Sequence, residues 1–162
     1  MLLQLPHTAG CLVCGRDNPH GLHLDLRVDS DAGIVHTNFT PERHHIGFTG
    51  IAHGGVLATV LDEAMVWAAT WPGKRFCYCG EMTVRYRKPA MVGEPLTVEA
   101  SVVSRRSRLI STIGTILDPS GQIVAEATGK YVPMSLEQHE LVIATLLDDP
   151  SAAVASEYLR SS

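Results

Sequence analysis

Apolar and polar positions alternate with period two over Leu22, Leu24 and Leu26, which predicts a half-buried strand at 22–29. Asp29-Ser30-Asp31-Ala32-Gly33 supplies turn chemistry, and Ile34 to Phe39 predicts the returning strand. A loop rich in His and Gly fills 41–50. The period then changes to that of a helix, from about residue 54 to 70, ending before Pro72-Gly73. Four strand-like segments follow, at about 76–88, 94–105, 107–118 and 122–132. They are separated by Pro89 and Gly93, by Ser104 to Ser107, and by the hairpin turn Asp118-Pro119-Ser120-Gly121. Residues 135–147 read as a helix capped by Ser135; Pro150 interrupts it, and a short helix is expected at 151–160. Strand runs around one long helix predict a single α+β domain, an antiparallel sheet of about six strands covering a central helix. The core is expected over about 20–133, with an N-terminal loop at 1–21 and a helical tail at 134–162.

Stepping 100° per residue puts Val56, Leu57, Val60, Leu61, Ala64, Trp67, Ala68 and Trp71 on one broad face of the helix, which should meet the sheet. Trp67 and Trp71 therefore read as core. Asp62 lies opposite, beside Ala58, Met65, Val66 and Ala69. A helix apolar nearly all round is covered on both sides, so a second subunit is expected over the Asp62 side. There Asp62 would sit in a mostly apolar interface, where desolvation raises a carboxyl toward the range of a general base. Glu63 points about 100° away, toward a pocket rim or an ion pair. Met65, near the Asp62 side, is a candidate for lining a substrate tunnel.

Just before this helix stands His53-Gly54-Gly55. A glycine turn at a helix start presents unpaired backbone N–H groups at the positive end of the helix, where a developing oxyanion can be held. His53 is expected to fix that turn by hydrogen bonds. Gly54 and Asp62 are eight residues apart, about 12 Å along one helix, too far to act on one reacting group. If both serve one substrate, Gly54 of one subunit must meet Asp62 of another across a two-fold axis.

The chain has 162 residues and a formal net charge of -4, so no basic field suggests nucleic acid. No apolar run approaches the roughly 18 residues of a membrane span, and Met1 to Pro6 lacks the basic start of a signal peptide. These features predict a cytoplasmic protein without membrane partners. Cys77 and Cys79 are poorly spaced for a disulfide. Cys11-x-x-Cys14, with His7, His20 and His23 nearby, makes zinc conceivable, but the spacing falls short of a four-ligand structural site and a turn packed by small thiols is preferred. His45 and His53 lack a convincing third ligand, so no catalytic metal is expected.

The run His53-Gly54-Gly55 with Asp62 nine residues after the His resembles the hotdog-fold thioesterases, in particular the acyl-CoA thioesterase branch that includes the phenylacetate-pathway enzymes. Cys11-Leu12-Val13-Cys14-Gly15-Arg16-Asp17-Asn18-Pro19-His20-Gly21-Leu22 is similar to the opening of one bacterial subgroup. Glu81-Met82-Thr83-Val84-Arg85-Tyr86-Arg87-Lys88-Pro89 is similar to the strand after the family's central helix. The resemblance spans roughly 11–133. It implies a hotdog fold, homodimers or dimers of dimers, no cofactor, and hydrolysis of acyl-CoA or a related thioester. It further implies that the Gly54 N–H polarises the carbonyl and that Asp62 acts as nucleophile or as base for water. Relatives often place a Ser or Thr seven residues before the Tyr matched by Tyr86, where this chain has Cys79; Thr83 or Glu81 could take that role instead. Where many relatives have an Asn before the turn, this chain has Gly47, so the carbonyl would be positioned by backbone N–H groups or by His45.

Arg87 and Lys88, with Arg85, and Arg105 and Arg106, with Arg108, form two basic clusters, either of which could hold the phosphates of CoA. Two other functions compete. An enoyl-thioester hydratase needs a paired Asp and His, and the loop offers only His53. A non-catalytic acyl-CoA-binding or regulatory protein would not need Asp62.

Overall fold

The computed structural model describes residues 1–161. Among these, nine strands and three α-helices follow in order: β1 (Leu2–Gln4), β2 (Arg27–Asp29), β3 (Ile34–Phe39), β4 (Ile46–Phe48), β5 (Ile51–Ala52), α1 (Gly54–Thr70), β6 (Cys77–Tyr86), β7 (Leu96–Arg106), β8 (Leu109–Leu117), β9 (Ile123–Pro133), α2 (Leu136–Ala144) and α3 (Ala153–Arg160). An antiparallel seven-stranded sheet in the order β1-β2-β3-β7-β8-β9-β6 curves around α1, and β4 and β5 form a separate two-stranded ribbon. No helix among the described residues is long and apolar enough to cross a membrane.

The period-two reading holds for the long strands, and α1 matches its expected span. Two differences have simple causes. Leu24 and Leu26 are buried as the alternation requires, but their backbone bonds to the N-terminal loop (Leu24 N–H to Val13 O, 2.8 Å; Leu5 N–H to Leu26 O, 2.9 Å), so the ladder of β2 begins only at Arg27. The N-terminal loop also contributes β1, paired with β2, so the sheet has seven strands.

The buried face of α1 includes Leu57, Val60, Leu61, Ala64, Trp67 and Ala68, as expected, and extends further to Met65, Ala69 and Thr70. The cause lies on the sheet. A Cβ on Gly114 would stand 2.9 Å from Met65 Cγ and Sδ, and one on Gly129 would stand 2.8 Å from Met65 Cε. Two side-chain-free positions on neighbouring strands thus make a slot for the thioether. Met65 is fully buried there, in the core of the protomer.

Candidate active site

His53 caps α1: with extended φ/ψ, it accepts the Gly55 N–H on Nδ1 at 2.8 Å. Its carbonyl takes the Val56 N–H (2.9 Å) and the Leu57 N–H (3.4 Å). Gly54 is left as the first-turn residue whose N–H has no hydrogen-bond partner among the described residues. The expected pair of glycine donors therefore reduces to one, because the Gly55 N–H is held by the cap. The Gly54 carbonyl accepts the Tyr86 hydroxyl at 2.8 Å, and a Cβ at position 54 would stand 3.2 Å from the Tyr86 ring. Gly47 is equally constrained, since a Cβ there would lie 3.1 Å from the His53 ring.

Gly54 lines a cleft of about 620 Å3. One wall is the β4–β5 ribbon with Gly47, Phe48 and Ile51; the other is the segment leaving β6, Tyr86 to Ala90. The walls are tied by the Ala52 N–H to Ala90 O bond, 2.9 Å. Phe48 is 79% exposed, an aromatic ring offered at the mouth of a mostly apolar groove. Arg87 and Lys88 lie at the same mouth, paired with Glu126 and Asp118 respectively. The Lys88 ammonium is the first cause, and the Ser120 hydroxyl the second, that hold the Asp118 carboxyl well below the usual range.

Asp62 is half-buried on the outer flank of α1, beside half-buried Ala58, Thr59 and Val66. The Tyr131 hydroxyl, fully buried on β9, donates to Asp62 Oδ1 at 2.8 Å. Burial first, then the Asp62 charge, pushes the Tyr131 hydroxyl far above the usual range, so it remains a donor. The Cys79 thiol faces this carboxylate; burial first, then the Asp62 charge, raises it above an ordinary thiol. Asp62, Cys79 and Tyr131 thus form one cluster within the protomer. Tyr131 was not singled out in the sequence, although its parity with Ala125, Ala127 and Gly129 on β9 aims it at α1.

Other candidates lie elsewhere. A register shift between Cys79 and Glu81 makes Gly80 a bulge, so Cys79 shares the helix-facing side with Met82 and Val84. Glu81 and Thr83 then point outward and cannot replace Cys79; Glu81 pairs with Lys130. His45 is buried against Phe39 and His44, and its Nδ1 accepts the Glu42 N–H at 2.9 Å, so it builds the loop and does not line the cleft. Burial lowers its pKa. Arg105 and Arg106 line a second cleft of about 590 Å3 with Gly73 and Arg75, at the opposite end of α1. That end is about 25 Å from Gly54 along the helix. Glu63 faces neither cleft. It lies under the N-terminal loop, where Trp67 Nε1 donates to it at 3.3 Å, and burial raises its carboxyl to about 7.

The sequence pattern of the Thioesterase superfamily matches residues 49–125, which carry the capped turn, α1 and β6 to β8. Among solved structures, RHA08564, a thioesterase superfamily protein, is 31% identical with a TM-score of 0.70, over 75% of this chain and 62% of that one. The Streptococcus mutans protein smu.793, solved bound to acetyl CoA, is 20% identical with a TM-score of 0.64, over 69% of this chain and 89% of that one. The E. coli PaaI protein from the phenylacetic acid degradation operon is 22% identical with a TM-score of 0.64, over 70% of this chain and 81% of that one. The last two matches bear on fold alone. Together with the helix wrapped by an antiparallel sheet, these findings show a hotdog fold whose central segment, residues 49–125, is similar to the thioesterase superfamily.

Proposed function

We propose that the protein is an acyl-CoA thioesterase, converting acyl-CoA and water to a carboxylic acid and CoA. The observation that carries this reading is the unpartnered Gly54 N–H at the positive end of α1, opening into an apolar cleft. A thioester carbonyl placed there gains a donor aimed at the charge that develops on its oxygen. Asp62 supplies the second function, as nucleophile or as base for the attacking water. Both residues lie on α1, so the pair that meets one substrate comes from two copies of the chain.

Two features support that assembly. β6, ten residues long, bonds to β9 on one side and is the last strand of the sheet on the other. The flank of α1 carrying Asp62 is only half-buried, with Ala58 and Val66 left part-exposed beside it. Antiparallel packing of two α1 helices over this face would bring Asp62 of each copy toward Gly54 of the other. It would also bring Arg105 and Arg106 of the second copy near the cleft mouth, where Arg87 and Lys88 already stand; CoA phosphates would meet that basic rim.

The test is steady-state CoA release from short, medium, long and aryl acyl-CoA, comparing wild type with Asp62→Ala and Asp62→Asn. Saturable release that falls about 100-fold or more in both variants supports the reading. Cys79, a weaker hydrogen-bonding group than the hydroxyl of relatives, favours a second reading, a protein that binds acyl-CoA without hydrolysing it. Tight binding by wild type and both variants, with no release, would establish that reading instead.

A further inference from the structure

A cluster outside the cleft is left unused by hydrolysis. Cys11 Sγ, Cys14 Sγ and a Glu63 carboxylate oxygen all lie within 4.8 Å of one another. The Cys11–Cys14 turn is built around the first sulfur. The Val13 and Cys14 N–H groups both donate to Cys11 Sγ at 3.4 Å, and the Gly15 N–H closes the turn on Cys11 O at 2.9 Å. Position 15 admits only glycine, because a Cβ would stand 2.4 Å from Cys11 N and 2.5 Å from Cys11 O. Backbone donors converging on a sulfur stabilise it as a thiolate, the form that ligates metals.

The third group comes from a distant part of the chain. Glu63 sits beneath this turn, oriented by Trp67 Nε1, and forms no ion pair with a Lys or Arg among the described residues. A part-buried carboxylate beside two thiols, with no Lys or Arg against it among the described residues, presents a donor set that a divalent ion can take. The donor set selects the ion. Two sulfurs and one carboxylate suit Zn2+, whereas Ca2+ and Mg2+ call for oxygen alone. The histidines near this motif in sequence do not join it: His7 lies against Asp149, and His23 bonds to Asn18 O.

We propose that Cys11, Cys14 and Glu63 form a Zn2+-binding site that fastens the N-terminal loop to α1 one residue from Asp62. Three protein donors leave a fourth position to water. Binding displaces thiol and carboxyl protons to solvent, so affinity rises with pH. The proposal is independent of the thioesterase reading.

The test is a Co2+ titration of the full chain, reduced, stripped with chelator, and shown to have its four thiols free. One Co2+ per chain is expected, with thiolate-to-cobalt charge-transfer absorption that Zn2+ abolishes. Cys11→Ser and Cys14→Ser are expected to lose the band; Cys77→Ser and Cys79→Ser keep it. Glu63→Gln, nearly isosteric, retains both thiols and is expected to weaken affinity at least about 10-fold. Should a cysteine variant fail to fold, Zn2+ protection of Cys11 and Cys14 from maleimide in wild type gives the same readout. Absence of the band in fully reduced wild type overturns the proposal, as does a band unchanged in Glu63→Gln. Ready formation of a Cys11–Cys14 disulfide without metal uptake on reduction also overturns it and makes the pair a redox couple.

Discussion

The Tyr131 hydroxyl donates to Asp62 Oδ1 across 2.8 Å, joining the C-terminal part of β9 to the outer flank of α1. Gly129 makes this contact feasible, since a Cβ there would lie 2.6 Å from the Tyr131 ring. The bond fixes one oxygen of the half-buried Asp62 carboxylate against the buried Tyr131 hydroxyl and so restricts its orientation. Tyr131→Phe should lower kcat for thioester hydrolysis about 10-fold and destabilise the fold by about 1–3 kcal/mol, because it removes a buried hydrogen bond to a charged group. Kinetics and urea unfolding of the variant check both values. Unchanged kcat would reduce Tyr131 to a packing residue.

Position 54 can be probed for its N–H alone. It is the first residue of α1, where proline is tolerated, and His53 has the extended ψ of 133° that a following proline requires. Gly54→Pro deletes the N–H; Gly54→Ala keeps it but crowds Tyr86 similarly. The proline variant should lose about 100-fold or more in kcat and the alanine variant much less. Equal losses would mean that crowding of Tyr86, not the donor, matters.

Cys79 stands against Asp62 with a weakly donating thiol. Cys79→Ser supplies a stronger donor of similar size and is expected to raise CoA release severalfold. A decrease in release would show that the thiol is suited to this site and that the analogy with hydroxyl-bearing relatives fails here.

Acid should destabilise the protein through its buried histidines. Burial lowers the pKa of His45 and His139 below the ordinary 6.5. Their Nδ1 atoms accept the Glu42 and Phe76 N–H groups, which requires the neutral ring. The unfolded chain binds these protons first, so stability falls as pH drops below 6.5 and through the lower folded values. Thermal melts from pH 8 to 5 should show a falling Tm, and His45→Asn, which keeps an acceptor but does not titrate, should flatten the slope. A slope unaffected by this change would remove His45 as a contributor.

Much of this arrangement could be read from residue spacing. The helical period identified α1, its main buried face and the separation of Gly54 from Asp62, because those depend on one continuous element. What could not be read depends on residues far apart in the chain. Met65 is drawn into the core by Gly114 and Gly129 on other strands. Thr83 is turned outward because Gly80 bulges and resets the parity of β6. Glu63 is claimed by a cysteine turn 52 residues earlier. Gly55 lost its expected role for a local reason: the cap from His53, itself expected, consumes its N–H.

The central claim is that one site takes Gly54 from one copy and Asp62 from another. Co-expressing Gly54→Pro and Asp62→Ala chains with different tags, then isolating mixed dimers, measures it directly. Each variant alone should be inactive. Random pairing leaves half the dimers mixed, and each mixed dimer holds one intact site of two, so about a quarter of wild-type CoA release should return in the unseparated pool. Mixed dimers as inactive as their parents would contradict a site shared between copies.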